Sequence, residues 1–360
     1  MDESGNVLVV GSAPGTLAGG DSLQSVFVRK YDPSGTEQWT RAFRAGSYEN
    51  GYGVAVDSGG NVFVGGSTNH GTFPGQSGAN YTDAFVRKYD ASGTEQWTRQ
   101  FGTNGSDRVR GAAVDANGNV IVTGHWSGTI LDFAGDESAF VRKYDTSGAL
   151  LWTREFGTGD FDTGYDVSAA ESGNVYIAGK THGTLPGQSG PGGAFLRKYD
   201  SSGAEQWTRQ FGTLRSDEAR RVAVDGSESV YVAGSMGGQA FVRRYAASGN
   251  EQWTRQLAPS SGRSVGVAVD ETGNVYLAGT TTGTLPGQTS AGDYDFFVRK
   301  YDGSGDEQWT RQLGTEAQDL CEAVVVEGSG VMYVVGSTRG TFPGQASAGL
   351  TDAFLMRIVP

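Results

Sequence analysis

Five acidic residues hold the same place in successive parts of the chain. Each stands four residues before a short segment of the Gly-Val-Ala-Val type, and the five are Glu49, Asp107, Asp162, Asp217 and Asp319. Carboxylate oxygens are the ligands that a hard cation such as calcium prefers, so acids gathered at one place predict a calcium site. The alternative is that each carboxylate caps its own loop or bonds to a neighbouring strand.

A second candidate site is a loop that departs from the pattern of the others. Four loops read Gly-Thr-Phe/Leu-Pro-Gly-Gln, whereas the corresponding segment after Gly124 contains His125, Trp126, Asp132, Phe133 and Asp136. An exposed tryptophan beside carboxylates is a platform for stacking a sugar ring, so these five residues are predicted to bind a ligand. The alternative is a loop that folds around its own small core.

The histidine, cysteine and serine side chains give little indication of a metal site or of catalysis. His70, His125 and His182 lie in different repeats, so they lack the local spacing of metal ligands. The lone Cys321 stands in a Val-rich segment and is predicted to be a buried hydrophobic residue. No Ser or Cys has the context of an activated nucleophile. The sequence therefore favours a protein that is not an enzyme, with no cofactor other than the calcium considered above.

The elements that must position these residues are short repeated strings. Each is rich in β-branched and aromatic residues and is bounded by Gly, Asp, Asn or Ser, which is typical of a β-strand. We name them strand a (Gly-Val-Ala-Val), b (Asn-Val-Tyr-Val-Ala-Gly), c (Ala-Phe-Val-Arg-Lys-Tyr) and d (Gln-Trp-Thr-Arg-Gln-Phe). Strings b and c occur seven times, and strings a and d six times.

Four strands in each 45 to 58 residues are the signature of a propeller blade. The predicted fold is all-β: a seven-bladed β-propeller of four-stranded antiparallel blades, in which the first blade lacks strand a and the last lacks strand d. We expect one domain over 1–360. Its repeats are predicted at about 1–53, 54–111, 112–166, 167–221, 222–266, 267–323 and 324–360. The incomplete blades suggest a fragment of a longer chain, or pairing of the ends between chains; otherwise we expect a monomer.

The connections between strands predict two unlike ends of each blade. The a–b and c–d links are tight Asp-x-x-Gly-Asn and Asp-x-Ser-Gly turns. The b–c and d–a loops are longer and more variable, and strand alternation places them together at the other end. We call this end the long-loop face. Loops displayed on a rigid scaffold commonly carry function, so ligands are expected there.

Composition and charge exclude two classes of partner. The chain has 58 glycines, only 19% charged residues and a net charge of −12. Without a basic run, the chain lacks the driving force for binding phosphate backbones, so we expect no nucleic-acid partner. No apolar stretch approaches the ~20 residues of a membrane-spanning helix, so we expect no membrane insertion. The first residues show no signal peptide.

The string Gly-Asn-Val-Tyr-Val-Ala-Gly followed by Ala-Phe-Val-Arg-Lys-Tyr-Asp resembles the SBBP family, bacterial repeats named for a seven-bladed β-propeller. The resemblance covers essentially the whole chain. It implies a fold more firmly than a function, and it implies an extracellular or cell-surface location. The a–b portion is also similar to NHL-type propellers, which supports an innermost strand a.

Together these observations predict a non-enzymatic binding or structural scaffold outside the cytoplasm. Its partner is expected to be a protein or a glycan on the long-loop face. Two alternatives remain. One is a lectin-like propeller that binds carbohydrate. The other is a lyase or glycoside hydrolase with carboxylates at the mouth of the propeller's central channel, where two acids could stand ~5 to 9 Å apart.

Overall fold

A computed structural model describes residues 1–14, 23–78, 81–128, 137–257, 262–328, 330–347 and 349–360. Every regular element in these ranges is a β-strand. The described part of the chain has no helix with the length and apolar character needed to cross a membrane. The chain divides into two compact units, Met1–Gln210 and Phe211–Pro360, which are described separately.

Unit 1 contains groups of consecutive antiparallel strands. The first group has strands b, c and d, and the next three have all four strands. A single parallel pairing, Gln24 with Tyr48, links the first group to the second. The strands are β1 (Val7–Pro14), β2 (Gln24–Tyr31), β3 (Glu37–Phe43); β4 (Tyr48–Val56), β5 (Val62–Asn69), β6 (Thr82–Tyr89), β7 (Glu95–Phe101); β8 (Arg108–Val114), β9 (Val120–Trp126), β10 (Ser138–Tyr144), β11 (Leu150–Phe156); β12 (Asp162–Ala169), β13 (Val175–Thr181), β14 (Gly193–Tyr199), β15 (Glu205–Phe211).

Unit 2 continues the same order. Two groups have strands a to d, and the last has strands a, b and c in the described residues. The strands are β16 (Glu218–Val224), β17 (Val230–Met236), β18 (Gln239–Tyr245), β19 (Glu251–Gln256); β20 (Gly262–Val269), β21 (Val275–Thr281), β22 (Asp295–Tyr301), β23 (Glu307–Leu313); β24 (Asp319–Val326), β25 (Met332–Thr338), β26 (Asp352–Ile358).

The tight turns form as their sequences predict. At the a–b turn of the second group, the Gly60 N–H donates to Asp57 O at 2.9 Å, and the Asn61 N–H donates to the Asp57 carboxylate at 2.8 Å. Gly60 has φ of 77°, a left-handed value that glycine adopts without a Cβ penalty. The c–d turns repeat this geometry at Gly35 and Gly93. These turns fix the register of each antiparallel pair.

In the four-stranded groups, strands b and c form the core because each has a paired strand on both sides. In β9, Val120, Ile121 and Val122 are fully buried, and β14 is buried along its whole length. Aromatic rings fill the space between successive groups. Phe43 of β3, for example, makes an edge contact with Phe85 of β6, with ring centroids 5.6 Å apart. Adjacent groups in a unit are thus packed through their apolar faces.

Strand a carries a β-bulge at the same position in every described copy. The register shifts by one residue, for example between Val109 and Gly111 of β8 and between Gly164 and Asp166 of β12. The extra residue of a bulge is released from regular pairing, and its side chain is re-aimed. These extra residues are Tyr52, Arg110, Tyr165, Arg220, Val265 and Glu322.

The all-β, propeller-like arrangement of four-stranded antiparallel sheets is confirmed, as are the three-stranded first and last groups among the described residues. Cys321 is fully buried as expected, and burial raises the pKa of its thiol to about 12. The single domain over 1–360 and its repeat boundaries stay predictions.

Candidate functional site

The five acids of the predicted calcium site are buried and bonded within their own d–a loops. In unit 1, the Thr103 N–H donates to Asp107 Oδ2 at 2.6 Å, and the Thr158 N–H donates to Asp162 Oδ2 at 2.6 Å. Glu49 Oε1 accepts the Gly46 N–H at 2.5 Å. Each of these carboxylates therefore closes the loop that precedes it, as the loop-capping alternative describes.

The acids of unit 2 have the same arrangement. Asp217 accepts the N–H groups of Thr213 and Gly237, both at 2.7 Å, so it joins the d–a loop to the following b–c turn. Asp319 accepts the Thr315 N–H at 2.6 Å. Among the described residues, no three or more His, Cys, Asp and Glu side chains gather as a metal site would require. The calcium site stays a prediction.

Two of the acids lie beside a second carboxylate. A Cβ placed on Gly102 would lie 2.8 Å from Asp83 Oδ1 and still closer to Asp107 Oδ2. Asp295 and Asp319 converge in the same way on Gly314. Burial, with a smaller contribution from the Asp83 charge, raises the pKa of Asp107 to about 6. Burial also raises the pKa of Asp162. Asp107 and Asp162 are therefore loop anchors whose ionised form is disfavoured by burial.

The predicted ligand site in the third repeat differs from the expectation at Trp126. Trp126 is fully buried, stacks on Phe140 with ring centroids 4.6 Å apart, and donates from Nε1 to Glu155 at 2.8 Å. It is a core residue, so the expected exposed platform at Trp126 was wrong. Packing against strand c removes the ring from solvent. The other predicted residues of the loop, Asp132, Phe133 and Asp136, lie outside the described residues.

His125 instead lines a pocket of about 220 Å³ between the third and fourth strand groups of unit 1. Its walls come from the strand ends that meet the b–c and d–a loops, so it opens on the long-loop face. We call it the long-loop pocket, and its lining residues are Arg108, Arg110, His125, Glu137, Phe161, Thr163, Tyr165, Lys180 and His182.

Cationic side chains dominate the long-loop pocket. Arg108, Arg110 and Lys180 bring three positive charges, and among the described residues none of them has an ion-pair partner. Arg110 lies over the ring of Tyr52, 5.0 Å from its centroid. Burial lowers the pKa of Arg110 from its ordinary value. Glu137 is the one carboxylate among the lining residues, so the lining carries a net positive charge.

The two histidines of the pocket have different surroundings. His125 is 3% exposed, and its Nδ1 has no hydrogen-bond partner in the described structure. Burial, assisted by the charges of Arg110 and Arg108, lowers the pKa of His125 to about 3, so the ring is neutral. His182 is partly exposed and lies with Nδ1 3.7 Å from Asp160. Its ring packs against Phe161, a residue that is 44% exposed.

Strand register explains why these residues converge. Arg108 pairs with His125 across β8 and β9, and Thr163 pairs with Lys180 at the same register across β12 and β13. Arg110 and Tyr165, the bulge residues of strand a in the same two groups, also line the pocket. Side chains directly opposite each other in a sheet are close neighbours, so two equivalent pairs from adjacent groups form facing walls.

Comparison of the repeats with one another points to two residues of the pocket, His125 and Lys180. The residue after the glycine of strand b is Ser or Thr in five repeats, namely Ser12, Ser67, Ser235, Thr280 and Ser337. The same position is His125 in the third repeat and Lys180 in the fourth. His125 was predicted from the sequence as a ligand-binding residue, whereas Lys180, Arg108 and Arg110 were not. The signal for Lys180 is a change of residue type at a fixed place in the repeat. The positions of Arg108 and Arg110 vary among the repeats and carry arginine again at Arg263 and Arg220, so they give no such signal.

The periodic arginines, in contrast, serve the scaffold. Arg87 of strand c lies 3.3 Å from Glu95 and over the ring of Phe43 in the preceding group. Arg99 of strand d donates from Nε to Gly148 O at 2.7 Å in the next c–d turn. A buried guanidinium needs such partners, and these contacts tie successive groups together.

Three segments of the chain match the SBBP family, described as a beta-propeller repeat: residues 38–74, 206–235 and 252–286. The resemblance to this family is therefore confirmed. The regulatory protein FlaEY of Caulobacter vibrioides is 25% identical over 365 residues, which cover 85% of this chain and 38% of that relative. The chain thus spans well under half of the length of FlaEY.

Solved structures show the same fold at low identity. A protein from Lactobacillus plantarum has a TM-score of 0.55 at 12% identity, with 97% of this chain and 95% of that chain covered. The WD40 β-propeller domain of Doa1 has a TM-score of 0.51 at 13% identity, with 87% and 85% covered. These similarities support the propeller-like fold alone.

Proposed function

We propose that this chain of SBBP β-propeller repeats is a binding scaffold that takes its ligand in the long-loop pocket. One observation carries the proposal: where the repeats depart from one another at equivalent positions, two of the departures, His125 and Lys180, meet in one pocket. A scaffold residue is expected to recur in each repeat, as the arginines of strands c and d do. A residue that serves a single site need not recur.

The strands around the pocket suit a binding site. Arg108 and His125 stand on β8 and β9, and Lys180 stands on β13, so the lining side chains are held by paired strands. Side chains on regular elements are positioned more firmly than side chains on loops, and a preorganised site loses less entropy on binding. We propose binding without catalysis, because Glu137 is the one carboxylate among the described lining residues and a glycosidase needs two.

A lectin-like activity is the second candidate, and the exposure of Phe161 favours it. This ring is 44% exposed at the pocket and stands near the Thr163 hydroxyl. Aromatic rings present an apolar face to ligands that also form hydrogen bonds, as sugars do. The pocket is built from two particular repeats, so a lectin of this kind should bind one sugar per chain, not one per blade.

A variant that carries residues of sister repeats at three pocket positions tests the proposal. Arg108→Thr, His125→Ser and Lys180→Ser each introduce the residue that a sister repeat carries at the same register: Thr163 for the first and Ser67 for the other two. Arg339→Ser is the matched control, because Arg339 is an exposed cation after strand b of the last repeat.

The wild-type chain is screened by thermal shift against glycans and small metabolites, and each compound that raises the melting temperature is titrated into the variants. We expect these compounds to bind the control as they bind the wild type and to lose binding to the triple variant. Circular dichroism checks that the triple variant remains folded. Compounds that bind the folded triple variant with unchanged affinity would place the ligand elsewhere and reject the proposal.

We further propose that the strand groups are seven blades of one propeller and that the protein works outside the cytoplasm. The strand order of the groups supports the first part, and family resemblance supports the second. A compact body of 360 residues should have a radius of gyration of about 21 Å by X-ray scattering. A much larger value would contradict one propeller, and a purely cytoplasmic fraction of the native protein would contradict the location.

A further inference from the structure

The long-loop pocket gathers positive charge in a protein whose net charge is −12. Arg108 and Lys180 come from adjacent strand groups, and Arg110 comes from the bulge beside Arg108. Like charges placed together repel one another, so three cations around one pocket cost folding free energy unless a counter-charge is bound. Glu137 supplies a single negative charge in the lining.

Hydrogen-bonding groups at the same place also lack partners. Arg110 Nε and His125 Nδ1 are both buried, and neither has a hydrogen-bond partner in the described residues. Buried polar groups in folded proteins are nearly always satisfied, so such atoms beside a pocket indicate a missing acceptor. A guanidinium offers only donors, and a neutral imidazole can place its proton on Nδ1. The matching ligand atom is therefore an oxygen that accepts hydrogen bonds.

The size of the pocket limits what can enter. Its volume of about 220 Å³ is below the range of about 300 to 1,000 Å³ found for drug-sized ligands. The site thus suits a small molecule or one terminal group of a larger molecule.

We infer that the long-loop pocket binds an oxyanion, namely the carboxylate, sulfate or phosphate group of a small ligand, held by Arg108, Arg110 and Lys180. This inference rests on the proposed function, because it uses the same pocket and adds the chemical class of the ligand. Arginine binds planar or tetrahedral oxyanions through paired N–H donors, and lysine adds a point charge. His125 Nδ1 and the Thr163 hydroxyl stand beside these cations as further donors.

Calorimetric titration with three oxyanions and one neutral sugar tests the inference. The probes are sulfate, phosphate and glucuronate, which distinguish the three sources of anionic oxygen, and glucose is the neutral counterpart of glucuronate. Each is titrated at low ionic strength into the wild type, Lys180→Ser, Arg108→Thr and the control Arg339→Ser. The two pocket substitutions introduce residues that sister repeats tolerate, and circular dichroism verifies folding.

At least one oxyanion should bind the wild type with one site per chain, and glucose should bind much more weakly. Affinity should fall by about tenfold or more in Lys180→Ser and Arg108→Thr, since each removes a charged hydrogen bond. It should be unchanged in Arg339→Ser and should decrease with added salt.

Three results would overturn the inference. The first is that no oxyanion binds the wild type. The second is an equal loss in Arg339→Ser, which would show that overall charge, not the pocket, attracts the anion. The third is glucose binding that equals glucuronate binding and depends on Lys180. This third result would leave the pocket as the binding site and reject only its preference for anions.

Discussion

At the scale of single residues, burial shifts the pKa values of Asp107 and His125. Asp107 is fully buried but receives N–H groups from Thr103 and Ser127, which favour the ionised form. Its pKa is nevertheless raised to about 6, because the loss of hydration outweighs these bonds. His125 has no such bonds at Nδ1 and is neutral over the whole physiological range.

A first prediction concerns the two carboxylates at Gly102. Asp83→Asn should lower the pKa of Asp107 from about 6 toward its ordinary value of 3.8, because it removes the neighbouring negative charge. The measurement is an NMR titration of the aspartate carboxyl carbons. Asp162 is the internal control, since Ser138 holds the position that matches Asp83. An Asp107 pKa unchanged by Asp83→Asn would show that burial alone raises it.

The raised pKa of Asp107 makes the stability of the protein depend on pH. Folded Asp107 keeps its proton up to about pH 6, while the unfolded chain releases it near pH 3.8. The contribution of Asp107 to the free energy of unfolding therefore falls as pH rises between these values, and it is constant above pH 6. Chemical denaturation of the wild type and Asp107→Asn across this range measures the difference.

A second prediction concerns His125. Its ring protons should show no titration in the folded protein between about pH 8 and 4, because its pKa is about 3. Since the unfolded ring gains a proton near pH 6.5, the stability that neutral His125 contributes is complete above pH 6.5 and is lost as pH falls. His125→Ser should reduce this acid-induced loss. A His125 titration midpoint near 6.5 would mean that the ring is hydrated.

At the scale of elements, the c–d turn holds neighbouring strand groups together. The turn glycine has a positive φ, and the strand d of the preceding group packs its tryptophan and arginine on the turn. Trp39 Nε1 donates to Ala91 O at 3.2 Å, and Arg41 Nε donates to Gly93 O at 2.7 Å. The tight turn is thus both a hairpin connection and a contact between groups.

A third prediction separates these two functions of the turn. Gly35→Ala and Gly93→Ala both place a Cβ at positive φ, which costs about 1 to 2 kcal/mol. A Cβ at Gly35 meets nothing within 4 Å, whereas at Gly93 it would lie 3.0 Å from the Trp39 ring. Gly93→Ala should therefore lower the free energy of unfolding more than Gly35→Ala. Equal losses in urea denaturation would show that Trp39 does not pack firmly on the turn.

Elements were largely predictable from the sequence because each strand repeats with its turn signals. Strand types, tight turns and incomplete first and last groups could all be read from the recurring strings. The burial of Trp126 could not, since it depends on stacking against Phe140 from another strand. The pairing of Arg108 and His125 with Thr163 and Lys180 was equally hidden, because it combines register within two sheets with packing between them.

At the scale of the whole molecule, residues that recur in the repeats serve the scaffold, and residues that occur once can serve a single binding site. The arginines, tryptophans and loop-closing acids recur because most strand groups use the same contacts. The long-loop pocket is lined by described residues of two adjacent groups. Its lining carries a net positive charge, whereas the whole chain has a net charge of −12. A local basic site in an acidic protein selects a small anion without attracting polyanions to the whole surface.

An anomalous diffraction map of crystals soaked in selenate, an oxyanion with a strong anomalous signal, tests directly whether the long-loop pocket binds an oxyanion. The strongest peak is expected in this pocket, in contact with Arg108 and Lys180, with no such peak in crystals of Lys180→Ser. A wild-type map with selenate bound only at other places, or at the pocket in both crystals equally, would show that Arg108 and Lys180 do not hold an oxyanion.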